Sequence, residues 1–343
     1  MLKKFIGLAE KGILPDFIIR YGIKNLCRER LKWEKNRTPG EMEHRHQLWV
    51  ETMKDSPIAL VPEKANEQHY EVPPSFFEKV LGPNLKYSSG FWPDGSVDLG
   101  DSETEMLKLS CERAEIQNGQ DILELGCGWG SMTFFMAKEY PKSFVTAVSN
   151  SRDQRNFIIN RCKKNGINNV KVITADMNEF TIPRRFDRVV SIEMFEHMRN
   201  YKELLSRIAE FLNNNGKLFI HIFSHRYLAY PYENRGSGDW MAREFFSGGM
   251  MPSHNLLLYF QDNLHVEKTW RISGLHYERT SLEWLKKMDK NRKTILEIFS
   301  DTYGPGNAEI WFQRWRIFFM SCEKLFGYNN GTEWGVSHYR FIK

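Results

Sequence analysis

The sequence predicts an α/β fold built on a doubly wound parallel sheet, and three observations predict it. Apolar runs of strand length alternate with helical stretches from about residue 102 to 225, joined by short connections. The first of those runs passes directly into three glycines within five positions, "ILELGCGWGS" (122–131). A glycine-rich first strand-to-helix turn is where such a sheet takes a ligand, at the carboxyl ends of its strands. The following helical stretch but one, "RDQRNFIINRCKKNGI" (152–167), closes on Asn-Gly, a stop signal before the next apolar run.

Taken in order, residues 1–33 place Phe5, Leu8, Ile13, Phe17, Ile18, Ile23 and Leu26 at helical spacing, interrupted at Pro15. Two short helices are predicted there. A polar hinge, "KNRTPGE" (35–41), precedes a further helical stretch, "HRHQLWVETMK" (44–54). "SETEMLKLSCERAEI" (102–116) reads as a helix capped by Ser102 with Glu105 three residues on. Then come strand 121–125 and its turn, helix "SMTFFMAKEYP", strand "SFVTAVSNS", the helix ending Asn-Gly, strand "VKVITAD", and strand "FDRVVSIEMFEH" running into a loop. "YKELLSRIAEFLNNNG" (201–216) reads as helix and "KLFIHIFS" (217–224) as strand. Three segments are expected: a helical extension over 1–60, a covering segment over 61–101, and a Rossmann-like domain over 102–343. That domain carries a lid insertion at about 225–315, followed by a closing helix and strand.

Composition narrows the function. At 343 residues, with 41% hydrophobic residues and ten Trp, the chain can bury a large aromatic core. A net charge of +5, with basic residues interleaved among acids as in "ERLKWEKNR", gives no nucleic-acid footprint. Five cysteines, odd in number and without CxxC spacing, favour a reducing compartment, and a soluble cytoplasmic protein is expected. The opening "MLKKFIGLAEKGILPDF" is broken by charges and a proline, so neither a signal peptide nor an integral membrane segment is read there. No internal repeat and no low-complexity tract is found.

Glu124-Leu125-Gly126-Cys127-Gly128-Trp129-Gly130 is GxGxG, a weak signal alone. A nicotinamide site wants GxGxxG and an acid ending the second strand; here that strand ends Ser149-Asn150-Ser151. The combination instead resembles the S-adenosyl-L-methionine-dependent methyltransferases of class I. On that resemblance Gly126, Cys127 and Gly128 face the methionine part of the cofactor. Ser149, Asn150 and Gln154 are placed for the ribose, and Asp176 for the adenine amino group, with Met177 and Ile192 beside them. An aspartate at 176 also suits a plain turn.

Upstream, "HYEVPPSFFEKVLGPNLKYSSGFW" (69–92) resembles the segment that covers the cofactor in the cyclopropane-fatty-acid synthase superfamily. The resemblance implies that Tyr70, Tyr87 and Ser88 bind the methionine carboxylate. Within that superfamily the chain is similar to the coclaurine N-methyltransferase-like proteins of benzylisoquinoline alkaloid metabolism. The likeness runs from "GILPDFIIRYGI" to "GTEWGVSHYRF" and includes "LGCGWGS", "SIEMFEHM", "LLLYFQD", "SGLHYERT" and "LFGYNNG".

Glu193, Glu196 and His197, after the fourth strand, supply two carboxylates and an imidazole within five residues. An alkylamine must lose its proton before it can attack a methyl carbon, and a histidine oriented by a carboxylate can take it. The resemblance assigns this to Glu193, Glu196 and His197. It implies S-adenosyl-L-methionine as cofactor, S-adenosyl-L-homocysteine as product, and a small cyclic amine as acceptor; a homodimer is left open as a partner expectation. Phe91, Tyr230, Trp240, Phe245 and Tyr277 are candidates for the substrate pocket.

Two positions depart from cyclopropane synthases. Ser89 stands where they carry a bicarbonate-holding cysteine, and Ser321 aligns with a second cysteine, with Cys322 one residue later. His197 and Tyr277 are compatible with either chemistry. The alternatives to an amine methyltransferase are methyl or methylene transfer to unsaturated acyl chains, with the N-terminal helices docking on lipid, and a non-catalytic cofactor-binding protein. The plant pattern is more acidic around 227–255, where this chain has Arg235 and Arg243. His221 and His225 lack a third ligand at metal spacing, so no metal site is expected.

Overall fold

Strands β1 (Asp121–Leu125), β2 (Phe144–Ser149), β3 (Val170–Thr174), β4 (Phe186–Ile192) and β5 (Leu212–His225) run parallel in the computed structural model. It describes residues 2–35, 37–60, 72–234, 236 and 239–343. A two-stranded ribbon, β6 (Tyr230–Pro231) with β7 (Met250–Met251), lies outside the sheet. β8 (His265–Ile272) and β9 (Trp334–Ile342) complete it in the order β3-β2-β1-β4-β5-β9-β8, with β9 antiparallel to both of its neighbours. The order reverses beside β1, which places the crevice over the glycine turn. β1 and β2 are buried on both faces, which is why they read as unbroken apolar runs and not as alternation.

β8 falls inside the stretch expected to be a covering insertion, yet it forms the sheet's edge. It carries Glu267, Lys268 and Arg271, and all but Ile272 of its residues are exposed or half-buried, as suits an edge strand.

Helices α1 (Leu2–Glu10) and α2 (Asp16–Lys35) break where Pro15 predicts, and α3 (Pro39–Lys54) follows. α3 starts inside the expected hinge: Thr38 and Glu41 form a reciprocal capping box across "TPGE". α4 (Pro74–Val80) precedes α5 (Leu99–Arg113). The Ser102 cap is corrected. Asp98 accepts from the Asp101 amide at 3.0 Å and begins the helix a turn earlier, while Ser102 is buried and donates to the Leu99 carbonyl. Aspartate caps as well as serine does, so the earlier of the two signals wins.

α6 (Ser131–Glu139), α7 (Arg152–Lys164) and α8 (Tyr201–Phe211) are the crossovers. α8 ends five residues before its predicted limit and β5 begins at Leu212, five before the expected strand, because the Asn213–Asn215 run is a poor helix former. The run opens the strand irregularly, with Asn215 at a φ of 61°.

The short α9 (Trp240–Glu244) precedes α10 (Gly274–Lys290), α11 (Arg292–Tyr303) and α12 (Ala308–Phe326), which with α1, α2 and α4 build an aromatic layer over the strands' carboxyl ends. Phe76, Phe77, Trp284, Trp315 and Phe319 are its buried centre. Ion pairs fasten the N-terminal helices to α12: Glu10 to Arg314 at 3.0 Å, Asp16 to Arg316 at 2.9 Å, and Arg20 to Glu323 at 2.8 Å. No helix among the described residues is long and apolar enough to cross a membrane.

Candidate active site

The turn between β1 and α6 is pinned by the Gly126 and Cys127 amides, each donating to the Val148 carbonyl at 3.0 Å. Two of its glycines are needed for different reasons. Gly130 (φ +81°) caps α6, and a Cβ there would meet Phe134 at 2.8 Å and Ile158 at 2.9 Å. Gly128 (φ +51°) would point a Cβ into open space. That space is a cavity of about 490 Å³, joined at Gly126, Gly128, Gln154 and His197 by a smaller one of about 60 Å³.

The sequence-predicted cofactor residues divide between the two. Tyr87, Ser88, Gly126, Cys127, Gly128, Gln154 and Ile192 line the larger cavity, and Ser149, Asn150, Asp176 and Met177 the smaller. Tyr70 lies outside the described residues. The Ser149 hydroxyl donates to Gln154 Oε1 at 2.6 Å, and Asp176 Oδ1 accepts from the Asn178 amide at 2.8 Å, a turn contact. Ser131 Oγ, Trp129 Nε1 and Gln154 Nε2 are buried in the cavity wall without a partner among the described residues. Buried polar atoms are ordinarily paired, so a glycine cradle beside three orphaned ones fits a polar ligand such as S-adenosyl-L-methionine.

The chain turns sharply after β4. Glu193 takes a φ of 47°, rare for a non-glycine residue, and its amide donates to the His221 carbonyl at 2.8 Å. Its side chain is 8% exposed and accepts three hydrogen bonds. The Ser89 amide (3.2 Å) and His221 Nε2 (3.1 Å) reach Oε1, and the Tyr277 hydroxyl (2.7 Å) reaches Oε2. Burial pushes the Glu193 carboxyl up to about 7, while the Lys86 charge and the Tyr277 and Ser89 donors hold it down.

Glu196 and His197 occupy the 3₁₀ turn Phe195–His197, which the buried Tyr201 hydroxyl anchors by donating to the Phe195 carbonyl at 2.9 Å. The His197 ring stacks on Phe246, centroids 5.0 Å apart. Glu196 is 1% exposed and lines the larger cavity, and its Oε2 has no partner among the described residues. Burial, then the neighbouring Glu193 charge, raise its proton affinity well above the ordinary carboxylate range.

Three buried charges escaped the sequence reading. Lys86 Nζ donates to Ser88 Oγ and to the Ser89 carbonyl (2.8 Å), and burial lowers it to about 8 against the pull of Glu193 and Glu103. Glu103 accepts from the Gly82 and Asn84 amides at 2.8 Å each. Glu124, within β1's buried run, accepts from the Thr133 hydroxyl, and burial pushes it up to about 8. A charge inside an apolar strand was the one available signal, at Glu124.

Of the substrate-pocket candidates, Tyr230, Trp240 and Tyr277 line the cavity. Phe91 and Phe245 do not: Phe91 packs on His276 at 4.6 Å, and Phe245 stacks on Phe318 at 4.5 Å within the helical layer. Helix α2, expected only as an extension, contributes Ile23, Leu26 and Arg30 to the wall. Arg243 pairs with Glu244 at 2.8 Å, and Arg235 lies outside the described residues. Ser89 is buried, its hydroxyl donating to the Gly90 carbonyl at 2.9 Å, and burial raises the Cys322 thiol. His225 Nδ1 accepts from the Tyr227 and Leu228 amides, a turn role, and no metal-holding cluster occurs among the described residues.

Comparison with known proteins agrees with this geometry. The (S)-coclaurine N-methyltransferases of Thalictrum flavum subsp. glaucum and Papaver somniferum are 38% and 39% identical to the chain. The alignments cover 100% and 97% of it, and 95% and 96% of those proteins. A crystal structure of coclaurine N-methyltransferase bound to N-methylheliamine and SAH superposes with a TM-score of 0.96 at 36% identity, covering 99% of each chain. The cyclopropane synthase MmaA2 of Mycobacterium tuberculosis, 20% identical with a TM-score of 0.68 over 82% of this chain and 98% of its own, shares the fold. Residues 61–332 match the mycolic acid cyclopropane synthetase family, and the chain belongs to that family as one of its coclaurine N-methyltransferase-like members.

Proposed function

We propose that the larger cavity is where a small cyclic amine of the benzylisoquinoline type is N-methylated, with Glu196 and His197 receiving the amine's proton. The chain is an S-adenosyl-L-methionine-dependent N-methyltransferase, and the cofactor supplies an electrophilic methyl group on its sulfonium. The observation that carries the amine reading is Glu196 Oε2, without a partner among the described residues and buried beside His197 in a cavity wall that also carries Tyr230, Tyr232, Trp240 and Phe246.

An ammonium entering that wall meets a buried carboxyl oxygen with no other partner among the described residues and aromatic faces that favour a cation. The same burial, together with the Glu193 charge, raises the proton affinity of Glu196 above that of a solvated carboxylate, the direction a proton acceptor needs. Glu193, held toward its anionic form by the Lys86 charge and by its donors, supports that proton removal electrostatically. Gly128, Ser131, Trp129 and Gln154 hold the cofactor end of the site, and Tyr87 and Ser88 close over it. The five cysteines are free thiols, which suits the reducing compartment this reading assigns.

Acyl-chain modification is the second reading, favoured by the family description and by a 25% likeness, over 69% of the chain, to the cyclopropane-fatty-acyl-phospholipid synthase of Escherichia coli. An alkene brings no ammonium to pair with Glu196, and serines stand at 89 and 321. Methyl-labelled S-adenosyl-L-methionine offered with cyclic secondary and tertiary amines, or with unsaturated phospholipid vesicles, separates the readings. Label is expected in an amine; label confined to lipid overturns the amine reading.

A further inference from the structure

A row of hydrogen bonds leaves the back of Glu193 and crosses the sheet away from the cavity. His221 Nε2 meets Glu193 Oε1 at 3.1 Å, His338 Nε2 meets His221 Nδ1 at 2.9 Å, and Arg113 Nη1 meets His338 Nδ1 at 2.9 Å. The register explains the alignment. Ile192, just before Glu193, pairs with His221 on β5, and His221 pairs with His338 on β9. Arg113, closing α5, lies over the ring of Trp270, which pairs with His338 on the edge strand β8.

The direction of these bonds is determined by chemistry. A guanidinium has donors only, so His338 Nδ1 must accept and its proton must sit on Nε2. His221 Nδ1 then accepts in turn, which leaves the His221 proton on Nε2, aimed at Glu193. Both rings are fully buried; burial, then the Lys86 and Arg113 charges at His221, and burial, then His221, Arg113 and Lys86 at His338, keep them neutral, as one proton per ring requires.

We propose that Arg113 and His338 are positioning residues for Glu193: acting through His221, they impose one tautomer on the row so that it always ends in a donor aimed at the carboxylate. This rests on the reading that anionic Glu193 supports proton removal by Glu196. Without Arg113, His338 is free to carry its proton on Nδ1. His221 then turns an acceptor toward Glu193, and an acceptor favours the protonated carboxyl. The other ionisable groups acting on Glu193 are Lys86 from the covering segment, Glu196 from the 3₁₀ turn, Tyr277 from α10 and Cys322 from α12. None of them touches Arg113 in the structure's hydrogen bonds.

The test pairs pH profiles with a measurement independent of turnover. Arg113→Met and His338→Leu are expected to move the acid limb of kcat/KM upward by about one pH unit, a tenfold loss below the limb that fades above it. Arg113→Lys and His338→Gln, which keep a donor in place, are expected to restore most of it. Nitrogen-15 spectra of histidine-labelled wild-type protein should show His221 and His338 both in the Nε2–H form, with Arg113→Met mixing the tautomers. Loss that is equal at every pH, or spectra showing either ring protonated at Nδ1 in the wild type, overturns the proposal. Failure of the underlying reading looks different: Glu193→Gln would retain full turnover while the spectra still showed the ordered row.

Discussion

The Tyr277 hydroxyl donates to Glu193 Oε2 at 2.7 Å, tying a helix of the aromatic layer to the loop that follows the fourth strand. Tyr277 is itself buried against Phe326, rings stacked 4.1 Å apart, so Tyr277→Phe removes the donor and keeps the packing. A hydrogen bond to a charged group contributes about 1.5–3 kcal/mol, so kcat/KM at neutral pH should fall about tenfold or more. Because the lost donor favoured the carboxylate, recovery should come as the pH is raised. Steady-state kinetics across pH 6–9 checks this; a uniform loss would assign Tyr277 to packing.

Gly128 and Gly130 should separate binding from folding. Both have positive φ, but only Gly130 is crowded, by Phe134 and Ile158. Gly130→Ala should lower the melting temperature sharply. Gly128→Ala carries a strain of about 1–2 kcal/mol and puts a methyl into the cavity, so cofactor affinity should drop more than stability. Calorimetric titration with S-adenosyl-L-homocysteine beside thermal melts makes the comparison. Equal effects at both glycines would contradict the cradle.

Glu124 predicts a pH dependence of stability. Its carboxyl, raised by burial to about 8, holds a proton in the folded state that the unfolded chain releases near its ordinary value of 4.5. The folded state therefore binds more protons between those values. Its contribution is fully present below about pH 4.5 and is lost as pH rises through 8. The slope is about 1.4 kcal/mol per pH unit at most. Glu124→Gln should flatten the fall in melting temperature between pH 5 and 8; an unchanged slope would place the loss elsewhere.

What was legible in the sequence was what the chain keeps contiguous. The glycine turn, the Glu-x-x-Glu-His cluster and the strand–helix alternation are local patterns, and the parallel strands β1 to β5 follow from them, while the edge strand β8 does not. The rest of the site depends on contacts between distant segments. Lys86 is unremarkable in "NLKYSSG" and becomes a buried charge only when the covering segment meets Glu193 and Glu103. His338 lies 117 residues from His221, and nothing in either segment announces the register that pairs them. Phe245 belongs to the same aromatic stretch as Trp240 but points into the helical layer, a distinction that composition cannot make. The cap of α5 was misplaced because "DLGDSETE" offers several good capping residues, and only geometry chooses Asp98 over Ser102.

The most direct measurement is methyl transfer by Glu196→Gln at saturating amine and labelled S-adenosyl-L-methionine, with cofactor affinity measured in parallel. The substitution keeps the side chain's shape in the cavity and removes its ability to take a proton. Transfer should fall by about a hundredfold or more while cofactor affinity is retained. Undiminished transfer by that variant would contradict a Glu196-based site for amine methylation.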